Sequence, residues 1–296
     1  MNQSDTQNQA VPPPHLPETV CFTVDVEDYF MSPETISFEQ WSQFEPCIEQ
    51  GMQRCIDLLD EYQAKATFFF LGWVAERFPA LVQETARRGH EIGTHTYNHT
   101  FVTNLQQPQF ADSVQRSVDM LRSLAPDQQV TGHRAPAFSL DRQKAWQFEV
   151  LQENGITYDS SINPHATYLY GEANAPRHPY WLHGLMEIPP GVINILGNTF
   201  PVGGGGTLRI LPGWYQRWAR RRYLSEGYPP VIYMHPWEFV PEHPRLPLPL
   251  KQRIIHWWGL GSVERKVRHI LQEYQSIPMQ EYARLLRKHS FSSAAH

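Results

Sequence analysis

Seven short apolar runs, most of them separated by stretches of helical periodicity, limit what this chain can fold into more than any other feature. They fall at residues 19–26, 66–71, 90–94, 129–133, 156–159, 186–189 and 230–235. The first is rich in β-branched residues, as a strand requires. The second shows no polar alternation, which suits a strand of a parallel sheet covered on both faces. Between runs, Ile48, Met52, Cys55, Leu59 and Tyr62 recur at spacings of three and four, as do Phe110, Val114, Val118 and Leu121. Each set makes one apolar helical stripe. Pro79 is placed to open a helix and Gly89 to close it, and a helix over 143–154 stops at Gly155. Strands alternating with helices predict an α/β protein, either a βα barrel or an open doubly wound sheet.

The chain has 296 residues, 41% of them hydrophobic, which is enough for one large core. Residues 1–17 are polar and then Pro-rich and read as a disordered tail. Residues 18–240 read as the barrel, and 241–296 as a C-terminal extension packing on it, with 263–288 helical. A net charge of −5 offers no case for nucleic acid as partner. No window of about 18 apolar residues exists to span a membrane, and 1–17 lacks the apolar segment of a signal peptide, so cytoplasmic placement is expected. Cys47 and Cys55 lie eight residues apart on one helix. That is about 12 Å of rise, beyond the roughly 7 Å a disulfide spans. With Cys21 the count is odd, which points to free thiols in a reducing compartment.

In βα barrels the chemistry sits at the C-terminal ends of the strands, and there the polar residues of this chain gather. Asp25, Glu27 and Asp28 end the first run, and His95 and His99 follow the third. Arg134, with Pro136 two residues on, follows the fourth, Asp159 ends the fifth and His235 the last. Imidazole is the commonest ligand of zinc and its relatives. Two imidazoles spaced by three residues reach one ion when the backbone turns helically after the strand, and one carboxylate completes the set. Asp25, Glu27 and Asp28 supply that carboxylate between them, and a second of them can act as a base. Calcium fits poorly, because the spacing of its loops is missing. An Arg134 fork can keep a carboxylate ionised; the alternative is a surface ion pair of small effect. His235 at a barrel mouth can act as an acid near neutral pH, and Trp237 can stack on a sugar face. The four successive glycines 203–206 allow close backbone approach to a ligand. Arg217, Arg220, Arg221 and Arg222 lie on a helix, as a solvated face or a contact for an anionic carrier or lipid surface.

These residues resemble the polysaccharide deacetylases of the NodB-homology type, carbohydrate esterase family 4. His95-Thr-Tyr-Asn-His99 is similar to that family's metal motif, Arg134-Ala-Pro136 to its Arg-x-Pro motif, and Tyr233-Met-His235 to its Leu-x-His motif. Five further stretches resemble the deacetylases of exosortase (PEP-CTERM) exopolysaccharide loci. They are Thr23-Val-Asp-Val-Glu-Asp-Tyr-Phe30, Tyr158-Asp-Ser-Ser-Ile162, Glu187-Ile-Pro-Pro190, Pro201-Val-Gly-Gly-Gly-Gly206 and His235-Pro-Trp-Glu238. The resemblance implies an irregular seven-stranded (β/α) barrel with a C-terminal helical extension. It implies a divalent metal, Zn2+ or else Co2+ or Ni2+, held by His95, His99 and Glu27 or Asp28. Asp25 would be the base, steadied by Arg134, and His235 the acid. Asp159, Trp237, Gly204 and Gly205 would meet an N-acetylated oligo- or polysaccharide. The family's usual Asp-Asp pair reads Asp25-Val-Glu27-Asp28 here. Hydrolysis of small cyclic imides on the same fold, or sugar binding without turnover, are the competing expectations.

Overall fold

The computed structural model describes residues 9–31, 36–167 and 171–293. Its strands are β1 (Gln9–Ala10), β2 (Thr19–Val26), β3 (Thr67–Phe70), β4 (Glu91–Thr94), β5 (Gly132–His133), β6 (Tyr158–Asp159), β7 (Tyr180–Leu182), β8 (Leu185–Glu187), β9 (Val192–Ile195), β10 (Asn198–Pro201), β11 (Val231–Met234) and β12 (Gln275–Ser276). The helices are α1 (Ile48–Glu61), α2 (Gly72–Arg77), α3 (Pro79–Arg87), α4 (Gln107–Leu124), α5 (Ala145–Glu153), α6 (Gly205–Ile210), α7 (Gly213–Leu224), α8 (Leu250–Trp257), α9 (Val263–Glu273) and α10 (Met279–Ser293).

Seven strands run parallel in the order β8-β6-β5-β4-β3-β2-β11. They correspond one to one with the seven apolar runs. The hydrogen-bonded sheet is open, and antiparallel β7 and β1 extend its β8 edge. The gap between β8 and β11 is spanned by Gly191 N–H donating to Val231 O at 3.0 Å and by a single bridge from Gly204 to Tyr233. The irregular barrel shape thus comes from curvature and one strut rather than a full ladder.

Strand alternation divides the core. Phe22, Val24, Phe68, Phe70 and Ile92 pack outward beneath the helices with Ile48, Met52, Val114 and Val118. Cys21, Phe69, Tyr158, Met186 and Val231 point inward, where Met279, Tyr282 and Leu286 of α10 close the lower end. The C-terminal extension is therefore part of the barrel. Residues 263–288 are not one helix, as the sequence suggests. Tyr274 leaves α9 in an extended conformation, β12 pairs in parallel with Thr19 and Val20, and α10 starts after Pro278. Proline cannot continue a helix interior. Of the expected tail, residues 1–8 lie outside the described residues, and the rest is ordered. Gln9 and Ala10 pair with β7, and Val11 is buried and accepts a hydrogen bond from Tyr228 Oη at 2.7 Å. The three cysteines are free.

Candidate active site

Asp25 lies on the inward face near the end of β2, in step with Cys21 and Thr23. The chain then turns, with Glu27 N–H donating to Asp25 O at 2.9 Å, and the Glu27 carboxylate swings toward the loop after β4. That loop carries both candidate imidazoles. Its turn is left-handed at Thr96 (φ 64°) rather than helical, a conformation uncommon for a non-glycine residue and typical of functional sites. The His95 and His99 rings then stand 5.5 Å apart. Glu27, His95 and His99 each present a ligand atom, all within 4.8 Å of one another. His99 Nε2 is 2.8 Å from Glu27 Oε2, and His235 Nε2 is 3.2 Å from Glu27 Oε1.

His95 is oriented by its other nitrogen, 2.7 Å from the carbonyl of Arg134. A proton on Nδ1 donated to that carbonyl leaves Nε2 as the free donor atom, the usual outer-layer arrangement behind a metal-binding histidine. Burial lowers the His95 pKa to about 4, so the ring is neutral, as a ligand must be. Burial works to raise the Glu27 pKa, but His99 and His235 outweigh it and hold the carboxyl well below the usual range. Two imidazoles and a carboxylate around one point suit a divalent cation of the zinc type.

Asp28 takes no part in this group. Its Oδ2 accepts hydrogen bonds from Cys47 N–H (2.8 Å) and Ile48 N–H (3.0 Å), and its Oδ1 from Tyr29 N–H (2.8 Å) and the Cys47 thiol (3.0 Å). The carboxylate closes the N-terminus of α1, where free N–H groups and the helix dipole favour negative charge. Of the two adjacent acids, the geometry gathers Glu27 with the histidines and commits Asp28 to the helix.

Arg134 is fully buried inside the barrel, so the surface alternative fails. Its Nη1 donates to Asp25 Oδ1 at 2.8 Å and Thr23 Oγ1 at 2.7 Å, and its Nε and Nη2 donate to Ser160 O (3.2 Å) and Ser160 Oγ (3.0 Å). The guanidinium also lies 4.5 Å from the Phe69 ring centre. A planar fork engaged on this many sides fixes the Asp25 carboxylate in one orientation. Thr23 shares the β2 face with Asp25, and Ser160 falls within the Tyr158-Asp-Ser-Ser-Ile162 stretch, yet neither was singled out as an Arg134 partner from sequence.

His235 follows β11. Its backbone N–H (3.0 Å) and its Nδ1 (3.1 Å) both meet Glu238 Oε2, and Glu238 Oε1 pairs with Arg209 Nε at 2.7 Å. Burial opposes charge on His235, but Glu27 and Glu238 together raise its pKa to about 9. Glu238 stood in the quoted His235-Pro-Trp-Glu238 stretch without a role. Arg209, on α6, carried no sequence signal.

Three of the expected substrate contacts stand in packed surroundings. Asp159 has no exposed surface. It bonds His133 Nδ1 at 2.5 Å and Ser161 Oγ at 2.7 Å, and Ser161 Oγ accepts Ala135 N–H at 2.8 Å. It props the turn after Arg134. Trp237 is 3% exposed and lies between His235 (5.9 Å, 15°) and His256 (4.5 Å, 3°), so both ring faces are occupied. Gly204 and Gly205 bring their loop against Tyr233, where an added Cβ would come within 2.4 Å and 2.9 Å of the ring. Their role is close packing beside His235.

Comparison with known proteins shows what the chain is similar to. A family model described as polysaccharide deacetylase matches residues 35–158. Over that segment the chain is similar to the polysaccharide deacetylase family. A second model, described as a domain of unknown function (DUF3473), matches residues 160–284. A peptidoglycan-N-acetylglucosamine deacetylase of Bacillus cereus is 36% identical over 24% of this chain and 26% of its own length. A peptidoglycan deacetylase of Helicobacter pylori is 29% identical over 38% of each. The chain thus spans well under half the length of those two curated relatives. A crystal structure of a Mycobacterium smegmatis protein assigned as a polysaccharide deacetylase shares the fold at a TM-score of 0.65, with 19% identity, 95% of this chain and 96% of that one covered.

Proposed function

We propose that the chain is a metal-dependent hydrolase that removes N-acetyl groups from amino sugars of an exopolysaccharide. One observation carries this. Glu27, His95 and His99 converge on a single point beside an Arg134-bound Asp25 and a Glu238-bound His235. Relatives named as deacetylases of peptidoglycan and of chitooligosaccharides support the reaction class. The five stretches similar to exosortase-locus deacetylases support the exopolysaccharide.

Glu27, His95 and His99 would hold a divalent cation, zinc favoured by the donor set, which would supply Lewis acidity for an acetamido carbonyl and a water molecule. Asp25 takes the proton from the attacking water, and Arg134 keeps it aimed. His235 delivers a proton to the departing amine nitrogen. Acid and base catalysis of this kind each contribute about 10²–10⁴-fold. The test measures acetate release from N-acetylated oligosaccharides and metal content together. His95→Ala should lose both. Retention of metal-dependent acetate release by pure His95→Ala protein would refute the site.

A further inference from the structure

One surface lies outside this chemistry. Residues 205–225 and 243–263 together hold eight of the chain's 25 Lys and Arg and none of its 30 Asp and Glu. Two of the eight turn inward, Arg209 to Glu238 and Arg220 over the Tyr274 ring. The other six are exposed, and of these Arg217 pairs with Glu273. The same segments carry most of the large apolar side chains left in water. Trp214 is 73% exposed, Leu250 63% and Trp258 60%, with Ile210, Trp218 and Ile254 also exposed.

The pattern along each helix is regular. On α7, Trp214, Trp218, Arg221 and Arg222 share one face, while Gln216, Ala219, Arg220 and Tyr223 are buried on the other. On α8, Leu250 and Ile254 form an exposed stripe that Trp258 continues, with Lys251 and Arg253 beside it. The two segments are joined. Arg209 Nη1 donates to Ile255 O (3.0 Å) and His256 O (2.5 Å), and a Cβ on Gly259 would lie 2.5 Å from Arg209 O. Ile210 follows directly, so the end of α6 brings the start of α7 beside the end of α8.

An apolar face edged by cations needs a partner that is both apolar and anionic. A soluble polyanion would satisfy the arginines and leave three tryptophans wet. A bilayer surface with anionic headgroups satisfies both, because Trp settles at the headgroup level and Arg and Lys reach phosphates while their stems stay in apolar surroundings. We infer that α7, α8 and Trp258 form a peripheral docking surface for an anionic membrane. No helix among the described residues is long and apolar enough to cross one, and lying in the interface requires none. The inference goes beyond the deacetylase reading and does not depend on it.

Vesicle flotation tests it with the full-length chain, using phosphatidylcholine vesicles with and without phosphatidylglycerol. The protein should float with the phosphatidylglycerol vesicles, with a blue shift in tryptophan emission, and float far less with phosphatidylcholine alone. Trp214→Ala/Trp218→Ala/Trp258→Ala should weaken partitioning by about tenfold or more. Arg221→Glu/Arg222→Glu/Lys251→Glu/Arg253→Glu should do the same, since each cation near such a surface contributes about a fivefold factor. Thermal unfolding by circular dichroism checks that both variants fold; if one does not, the other decides. Absence of flotation, or flotation of a folded variant equal to wild type, overturns the proposal. So does light scattering showing a wild-type dimer that the tryptophan variant dissolves, since a second copy would then cover the face.

Discussion

Arg134 concentrates risk in one side chain. It is a fully buried cation whose charge is answered by Asp25 and whose remaining donors are taken by Thr23 and Ser160. Arg134→Met fills the space but leaves Asp25 as an uncompensated buried carboxylate. Breaking such a pair from one side costs about 3–5 kcal/mol, which urea denaturation would register as a lower midpoint. Arg134→Lys keeps the charge but loses the fork, so it should unfold between wild type and Arg134→Met. Glu238 poses a different question. Its carboxylate orients His235 through the ring Nδ1 and the backbone N–H. Glu238→Gln keeps the shape and weakens that hold, so kcat should fall by about 10²-fold, the low end of what a positioned acid contributes, with KM little changed. An equal fall in 1/KM would instead make Glu238 a substrate-binding group. Residues of this kind were only half legible in the sequence. The types and order of Asp25, His95, Arg134 and His235 were plain. The choice between Glu27 and Asp28 was not, because it turns on which of two neighbours caps a helix that begins at Ile48. No local pattern encodes that distance.

Elements transmit the same logic over longer spans. Helix α1 touches the site only through its back, where Gly51 lies against the turn after β11. A Cβ on Gly51 would stand 2.4 Å from Pro236 O and 2.6 Å from Pro236 C. Those atoms are backbone and have no rotamer to yield. Alanine in a helix interior is ordinarily better than glycine by about 0.5–1 kcal/mol, so an open site would make Gly51→Ala stabilising. Here the clash should dominate and cost about 1–3 kcal/mol. Because Pro236 follows His235, acetate release should fall along with the thermal midpoint. A raised midpoint would show that α1 can move aside. The seven parallel strands are buried throughout and were legible as short segments set mostly between stretches of helical periodicity. β7, β9, β10 and β12 were not: each has partly or fully exposed positions, so burial does not mark them in the sequence. The tail was misread for a related reason. Val263, Val267, Ile270 and Leu271 set a helical rhythm on α9 that Tyr282, Ala283 and Leu286 of α10 resume, and the break at Tyr274–Pro278 was carried by Pro278 alone.

At the scale of the whole molecule, burial of imidazoles sets how the fold meets acid. His90 lies against Phe68 (5.1 Å) and accepts Ala66 N–H at 3.4 Å, and burial, with Lys65 nearby, lowers its pKa to about 4. His256 stacks on Trp237, and burial, with His243 and Arg209 nearby, lowers its pKa to about 3. Each is neutral in the folded chain yet takes up a proton near 6.5 once unfolded. The unfolded chain therefore binds more protons between pH 6.5 and about 4, and stability falls as the pH drops across that window. It is complete above 6.5 and fades downward, with a slope of up to about 1.4 kcal/mol per pH unit for each group. Glu91 and Glu187 oppose this, since burial raises both pKa values and favours their protonated forms in the fold. The net profile mixes the two signs, but a difference between variants separates them. His256→Phe keeps a ring against Trp237 and cannot titrate. Urea midpoints taken at intervals from pH 7 to pH 4 should fall less steeply for His256→Phe than for wild type, the two curves converging toward low pH. Parallel curves would mean that His256 takes up its proton in the folded chain as readily as in the unfolded one, and the stack on Trp237 behind His235 would then hold a charged ring.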